Sequence, residues 1–141
     1  MIKIVYWSGT GNTEAMANAV AKGVEAAGAE AKVIEVSTIS AVDLTEDMVY
    51  ALGCSSMGDE VLEEEFMEPF VEALQSQMSG KKVGLFGSYG WGNCEWMRDW
   101  EERLQKAGAS VILGEGITCV DAPDEEALEK CEMLGKALAV E

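Results

Sequence analysis

Ile2-Lys3-Ile4-Val5-Tyr6-Trp7-Ser8-Gly9-Thr10-Gly11-Asn12-Thr13 reads as a buried strand that stops abruptly in a small loop of hydroxyls and glycines. A helical pattern follows at once, with Met16, Val20, Val24 and Ala27 at helical spacing and Gly28 as its stop. Ser8, Thr10 and Thr13 supply hydroxyl donors, and Gly9 and Gly11 let the backbone approach a ligand. The helix start aims free N–H groups and the positive end of its dipole at the same spot. Such a turn is also an ordinary connection in α/β proteins; as a binding element it is an anion cradle, and phosphate is the anion expected. A nucleotide-hydrolase loop would need a Gly-Lys-Ser/Thr ending, and a dinucleotide loop would need a third glycine where this chain has Glu14. A mononucleotide remains. The loop holds no Lys or Arg, so a bound phosphate would be held by neutral dipoles and would keep its charge.

Outward from this element the pattern alternates. Lys32 to Val36 is a short strand, 37–47 a polar connection with one helical turn, and Met48 to Cys54 a nearly continuous apolar run suited to a parallel strand covered on both faces. Phe66, Phe70, Leu74 and Met78 form a helical stripe closed by Gly80, and Lys82 to Ser88 is another buried strand. Met97, Trp100, Leu104 and Ala107 mark a third helix, closed by Gly108. Ser110 to Leu113 and Gly116 to Cys119 read as one last strand, bulged or bent at Gly114-Glu115-Gly116. Pro123 opens the final helix, with Leu128, Cys131, Leu134 or Gly135, and Leu138 inward. The expectation is an α/β fold: a doubly wound five-stranded parallel sheet of order 2-1-3-4-5 with helices on both faces. In that order ligands bind beyond the carboxyl ends of strands 1 and 3, where the loops at 8–13 and 55–65 face each other.

A chain of 141 residues is expected to form a single domain with its own core. With 26 acidic and 10 basic residues its formal charge is −16, which argues against nucleic-acid and anionic-membrane partners and leaves basic proteins, unless the charge serves solubility alone. Cys54, Cys94, Cys119 and Cys131 form no Cys-x-x-Cys pair and there is no histidine, so a common zinc or iron–sulfur site is not expected. Cys54 and Cys131 read as small buried hydrophobes, which fits a reducing cytoplasm. No apolar run approaches the length of a signal peptide or membrane span. Without histidine the commonest general acid–base is missing, and side-chain catalysis is not expected.

Two further loops complete the site. The second reads Ser55-Ser56-Met57-Gly58-Asp59-Glu60, and the third Gly87-Ser88-Tyr89-Gly90-Trp91-Gly92-Asn93. A tryptophan between glycines has no rigid neighbours to pack with and is better placed as a lid over a flat ligand, with Met57 pressing on the opposite face.

Ser-Gly-Thr-Gly-Asn-Thr at 8–13, Met-Gly-Asp-Glu at 57–60 and Gly-Ser-Tyr-Gly-Trp-Gly at 87–92 resemble, in order and spacing, the flavodoxins, specifically the short-chain clostridial type. The resemblance covers essentially the whole chain. It implies noncovalently bound flavin mononucleotide (FMN). The phosphate would lie against Ser8, Gly9, Thr10, Gly11, Asn12 and Thr13, with Ser55 and Ser56 nearby. Met57 and Trp91 would sandwich the isoalloxazine, Gly58 would present its backbone at flavin N5, and Asp59 and Glu60 would meet the O4 and N3 edge. Ser88, Tyr89, Gly90, Trp91 and Gly92 would line the N1 and O2 side. Cys94 stands where clostridial-type relatives often carry glycine, and Ser55-Ser56 and the loop Val120-Asp121-Ala122 also depart from the family's pattern.

The implied function is a low-potential one-electron carrier cycling mainly between semiquinone and hydroquinone, an electron-transfer protein and not an enzyme. It would be a monomer serving the basic faces of redox enzymes. The residues support this independently. Full reduction puts a negative charge near N1, and the site offers no Lys or Arg to receive it. Each uncompensated charge at about 8 Å opposes that anion by about 2 kcal/mol at an effective dielectric near 20, or roughly 90 mV in a one-electron couple. Gly58 is the residue type for a peptide flip toward a protonated N5. The acidic cluster Asp59, Glu60, Glu63, Glu64, Glu65 and Glu68 is expected to border the flavin edge and steer basic partners. The alternative is an FMN-dependent NAD(P)H or quinone reductase on the same fold, disfavoured by Trp91 over one ring face and by the acidic rim. A receiver domain would need an aspartate where Cys54 stands.

Overall fold

The computed structural model describes residues 1–57 and 61–141. Strand β1 (Ile2–Trp7) leads through the first loop into α1 (Asn12–Ala26), and β2 (Ala31–Glu35) follows. Two 3-10 turns, Val36–Thr38 and Ala41–Leu44, carry the polar connection to β3 (Val49–Cys54). Then come α2 (Met67–Leu74), β4 (Lys82–Tyr89), α3 (Glu95–Lys106), β5 (Ser110–Val111), β6 (Ile117–Val120) and α4 (Glu125–Ala139).

All strand pairs are parallel and run β2-β1-β3-β4-β5, with β6 also on β4. The expected order holds, but the last strand is broken rather than bulged, so the six strands among the described residues fill five positions. Val83 pairs with Val111 and Phe86 with Ile117. The partner chain therefore spends three more residues than β4 over the same interval, in the turn Ile112–Gly114. Leu113 and Gly114 make that turn at φ 67° and 81°. The buried Glu101 carboxylate of α3 secures it by accepting the Gly116 N–H at 2.5 Å.

Alternate residues of the central strands feed two cores. Val5, Tyr50, Leu52, Val83 and Leu85 face α2 and α3, where Met67, Phe70, Leu74, Met97, Trp100 and Leu104 are buried. Ile4, Ala51 and Phe86 face α1 and α4. Met16, Val20 and Val24 lie inward on α1, each burial contributing about 1.5–3 kcal/mol before ordering costs. On α4, Cys131, Leu134, Gly135 and Leu138 are buried and Leu128 partly so. Two expected inward residues are instead exposed. Phe66 is the N-cap of α2, a turn before the stripe enters the core, and Ala27 is the C-cap of α1. Burial pushes both the Cys54 and the Cys131 thiol up to about 12, so each is protonated packing material at neutral pH.

Cys94 is the N-cap of α3 at φ 65°, ψ 24°, the left-handed region where a side chain is strained and glycine is not. Its side chain packs only partly against the core. Cys94→Gly is therefore expected to stabilise the protein by about 0.5–1 kcal/mol. The measurement is a urea midpoint at unchanged slope; a fall in that midpoint would show that the thiol's packing outweighs its backbone strain.

Candidate functional site

The carboxyl ends of β1, β3, β4 and β6 lie at one edge of the sheet, and the loops that leave them enclose an open cleft of about 340 Å³. That volume is in the range of small-molecule sites. From the first loop the wall takes Gly9, Thr10 and Asn12; from the second Ser55, Ser56 and Met57; from the third Ser88, Tyr89 and Gly90. Gly58, Asp59 and Glu60 lie outside the described residues, and with them the reading of Gly58 at N5.

The first loop is built as an anion cradle. Gly11, at φ 92°, is the N-cap of α1 and donates its N–H to Ser8 Oγ at 2.9 Å. That bond uses Ser8 as acceptor and leaves its proton to donate outward. The first helical bond runs from Ala15 N–H to the Gly11 carbonyl, so the N–H groups of Asn12, Thr13 and Glu14 precede it. Thr13 is fully buried, with its hydroxyl 2.7 Å from Ser55 Oγ and 3.4 Å from Ser88 Oγ. One hydroxyl from each of the three loops thus meets at the cleft's inner end. Ser88, expected along the ring's N1 and O2 side, has its hydroxyl here.

The second loop leaves the sheet under two ties. Ser56 N–H donates to the Ser88 carbonyl at 3.0 Å, and Met57 and Val61 exchange both backbone bonds at 2.9 Å. Met57 is 38% exposed beside the cleft. In the third loop Trp91 is 61% exposed, and neither it nor Gly92 is part of the cleft wall.

Two wall residues lie outside the site residues expected from the sequence. Trp7, the last residue of β1, lines both the cleft and a neighbouring cavity under 61–65, and a Cβ at Gly9 would come within 3.0 Å of its ring. An aromatic at a strand's carboxyl end just before a binding loop was the available signal. Asp121, at φ 54°, donates its N–H to the Tyr89 carbonyl at 2.8 Å and brings the one carboxylate of the described wall. Its loop, 120–122, is marked in the sequence only as a departure from the family's pattern, with no role for Asp121 itself. No Lys or Arg lines the cleft among the described residues.

The acidic cluster divides. Glu63 is buried, and its carboxylate accepts the N–H groups of Glu65, Phe66 and Met67, closing the start of α2. Glu68 forms a two-point ion pair with Arg103 at 2.8 and 2.5 Å. Neither presents a free charge to a partner; Glu64 and Glu65 are exposed.

The donor set suits a phosphate at one end of the cleft and a planar ring between the second and third loops. The family model described as Flavodoxin matches residues 4–135. This chain belongs to the flavodoxin family. It is 49% identical to a flavodoxin of Clostridium beijerinckii over 98% of this chain and 99% of that one. Against a flavodoxin of Megasphaera elsdenii the identity is 48%, over 99% and 98%. The solution structure of two-electron reduced Megasphaera elsdenii flavodoxin superposes with a TM-score of 0.89 at 46% identity, covering all of both chains. Like other flavodoxins it is an FMN-binding electron carrier, not an enzyme, and it works between redox partners. No helix among the described residues is long and apolar enough to cross a membrane.

Proposed function

We propose that residues 1–141 form a single FMN-binding domain whose cleft holds the flavin in a definite sense. The carrying observation is the meeting of Thr13, Ser55 and Ser88 hydroxyls beside an α1 N-terminus, with no basic residue among the described residues of the cleft wall. The phosphate lies against Ser8–Thr13 with Ser55 and Ser56. The ring lies between Met57 and Trp91, with Tyr89, Gly90 and Gly92 along one edge, and the exposed Trp91 indole is the surface it would cover. When bound, FMN supplies a ring that takes up and releases single electrons. The chain's part is to hold it by neutral dipoles and leave its negative charges uncompensated. With Asp121 adding a carboxylate to the wall, this favours low potential. Gly58, Asp59 and Glu60 complete the N5, O4 and N3 side in this reading.

The formal charge of −16 and the exposed Glu64 and Glu65 support docking to basic faces of redox enzymes. Four free cysteines, two of them buried, support a reducing cytoplasm, and we take the protein as a monomer. One anaerobic experiment tests the reading: titrate the FMN-loaded protein with reductant, then follow electron transfer to a basic redox protein at two ionic strengths. Two separate one-electron steps, the second below that of free flavin, and a slower transfer at high salt are expected. A colourless protein that takes up no FMN would sink the cofactor site, and salt-independent rates would sink the electrostatic docking.

A further inference from the structure

Trp96 stands behind both loops that the ring would touch, yet it is no part of the cleft wall. It sits in the first turn of α3, is 2% exposed, and donates its indole Nε1–H to the carbonyl of Cys54, the last residue of β3, at 3.3 Å. The second loop leaves the sheet directly after that carbonyl. A Cβ at Gly87 would lie 3.2 Å from the Trp96 ring and 2.1 Å from the Cys54 oxygen, so indole, carbonyl and the bare backbone of β4 close on one another. On its other side the Trp96 ring meets Tyr89 with centroids 5.5 Å apart and planes tilted by 51°, and Tyr89 does line the cleft. The same indole borders a small cavity under Val61 and Leu62, at the far end of the second loop.

We propose that Trp96 is a positioning residue for the flavin cleft: its N–H fixes the direction in which Ser55–Met57 leave β3 relative to Tyr89 on the third loop. Packing alone would need only a large apolar side chain at this position. The bond to Cys54 adds a direction, because an indole donates along one line in the ring plane. Without it the Cys54 carbonyl at the strand end loses a donor, and the ties that remain, Ser55 to Thr13, Ser56 to Ser88 and Met57 to Val61, all lie beyond the strand end. The inference rests on the reading that this cleft holds FMN.

The test replaces the donor and keeps the shape, with Trp96→β-(3-benzothienyl)alanine, in which sulfur takes the place of N–H; Trp96→Phe is the encoded companion. In the apoprotein, the hydrogen-bonded amides of Ser56 and Met57 are expected to exchange about tenfold faster while Leu52 and Leu85 in the central strands are unchanged. The FMN dissociation constant is expected to rise about tenfold. Unchanged exchange at Ser56 and Met57, or equal acceleration at all four amides, would leave Trp96 a core residue and overturn the proposal. So would an unchanged dissociation constant. Failure of the unsubstituted chain to bind FMN would instead overturn the cleft assignment and the positioning role with it. The exchange measurement, made without flavin, separates that outcome from loss of the tie.

Discussion

Gly135→Val is expected to cost about 3 kcal/mol or more of stability and, in the protein that still folds, to weaken FMN retention. The reason is backbone, not side chain. Gly135 on α4 faces α1 so closely that a Cβ there would lie 2.0 Å from the Val20 carbonyl oxygen and 2.7 Å from the Val24 nitrogen. The approach is reciprocal, since a Cβ on Gly23 of α1 would lie 1.9 Å from the Glu132 carbonyl oxygen. No rotamer change relieves such contacts, because the atoms struck belong to helical main chain. The helices must separate, and the buried stripe between them opens. Overpacking in ordinary cores costs about 1–3 kcal/mol, and a main-chain collision lies at or beyond the top of that range. The displaced helix also carries the anion cradle at its N-terminus, so stability and cofactor retention should fall together. Gly28→Ala is the control: its φ of 91° makes alanine strained, but the new Cβ would point into open space, with nothing beyond its chain neighbours within 4 Å, so a loss of about 1 kcal/mol is expected. Urea midpoints for both variants check this. Equal losses would mean that the α1–α4 crossing tolerates side chains and that the close approach is not what holds it.

The fold was legible because hydrophobic runs of strand length alternate with helical stripes, and that alternation leaves few topologies. Glycines closing helices at 28, 80 and 108 marked the boundaries, and each has positive φ. What stayed illegible depends on three-dimensional company. Nothing in Ser110 to Cys119 distinguishes a bulge from a break, because the deciding partner, Glu101, comes from another element. Glu63 reads as one more surface acid beside Glu64 and Glu65, yet the start of α2 folds back on it and leaves three N–H groups needing an acceptor. At the site, the first loop announced itself because a cradle needs a special backbone, and Gly11 supplies it. Trp7 escaped because lining a cleft requires only an address, which an ordinary residue type does not advertise, and Asp121 was marked only through its loop's departure from the family's pattern. Cys94 shows the reverse case. A residue chosen against its backbone preference was readable as a departure from glycine, and the left-handed conformation is there.

Thr13→Val is expected to weaken FMN binding about thirtyfold and riboflavin binding at most about threefold. Valine has nearly the same shape, and position 13 is fully buried, so packing is preserved and only the hydroxyl is lost. That hydroxyl lies 2.7 Å from Ser55 Oγ and 3.4 Å from Ser88 Oγ. Three hydroxyls carry three protons, and two contacts among them use two, which leaves one to donate to a ligand. Ser55 and Ser88 line the cleft and Thr13 does not, so the spare proton is offered through a serine whose rotamer Thr13 sets. With valine both serines lose a partner and the pinned geometry goes, a cost of about 2 kcal/mol that converts to the thirtyfold change. Riboflavin has no phosphate, so comparing the two ligands by fluorescence titration separates the possibilities. Equal weakening would mean that the three hydroxyls only tie the loops together and that the phosphate lies elsewhere. No weakening of either ligand would remove the hydroxyl cluster from the binding site altogether. The selective loss is the expected result, because a cradle holding a phosphate without any positive charge would have to do so by the count and aim of its donors.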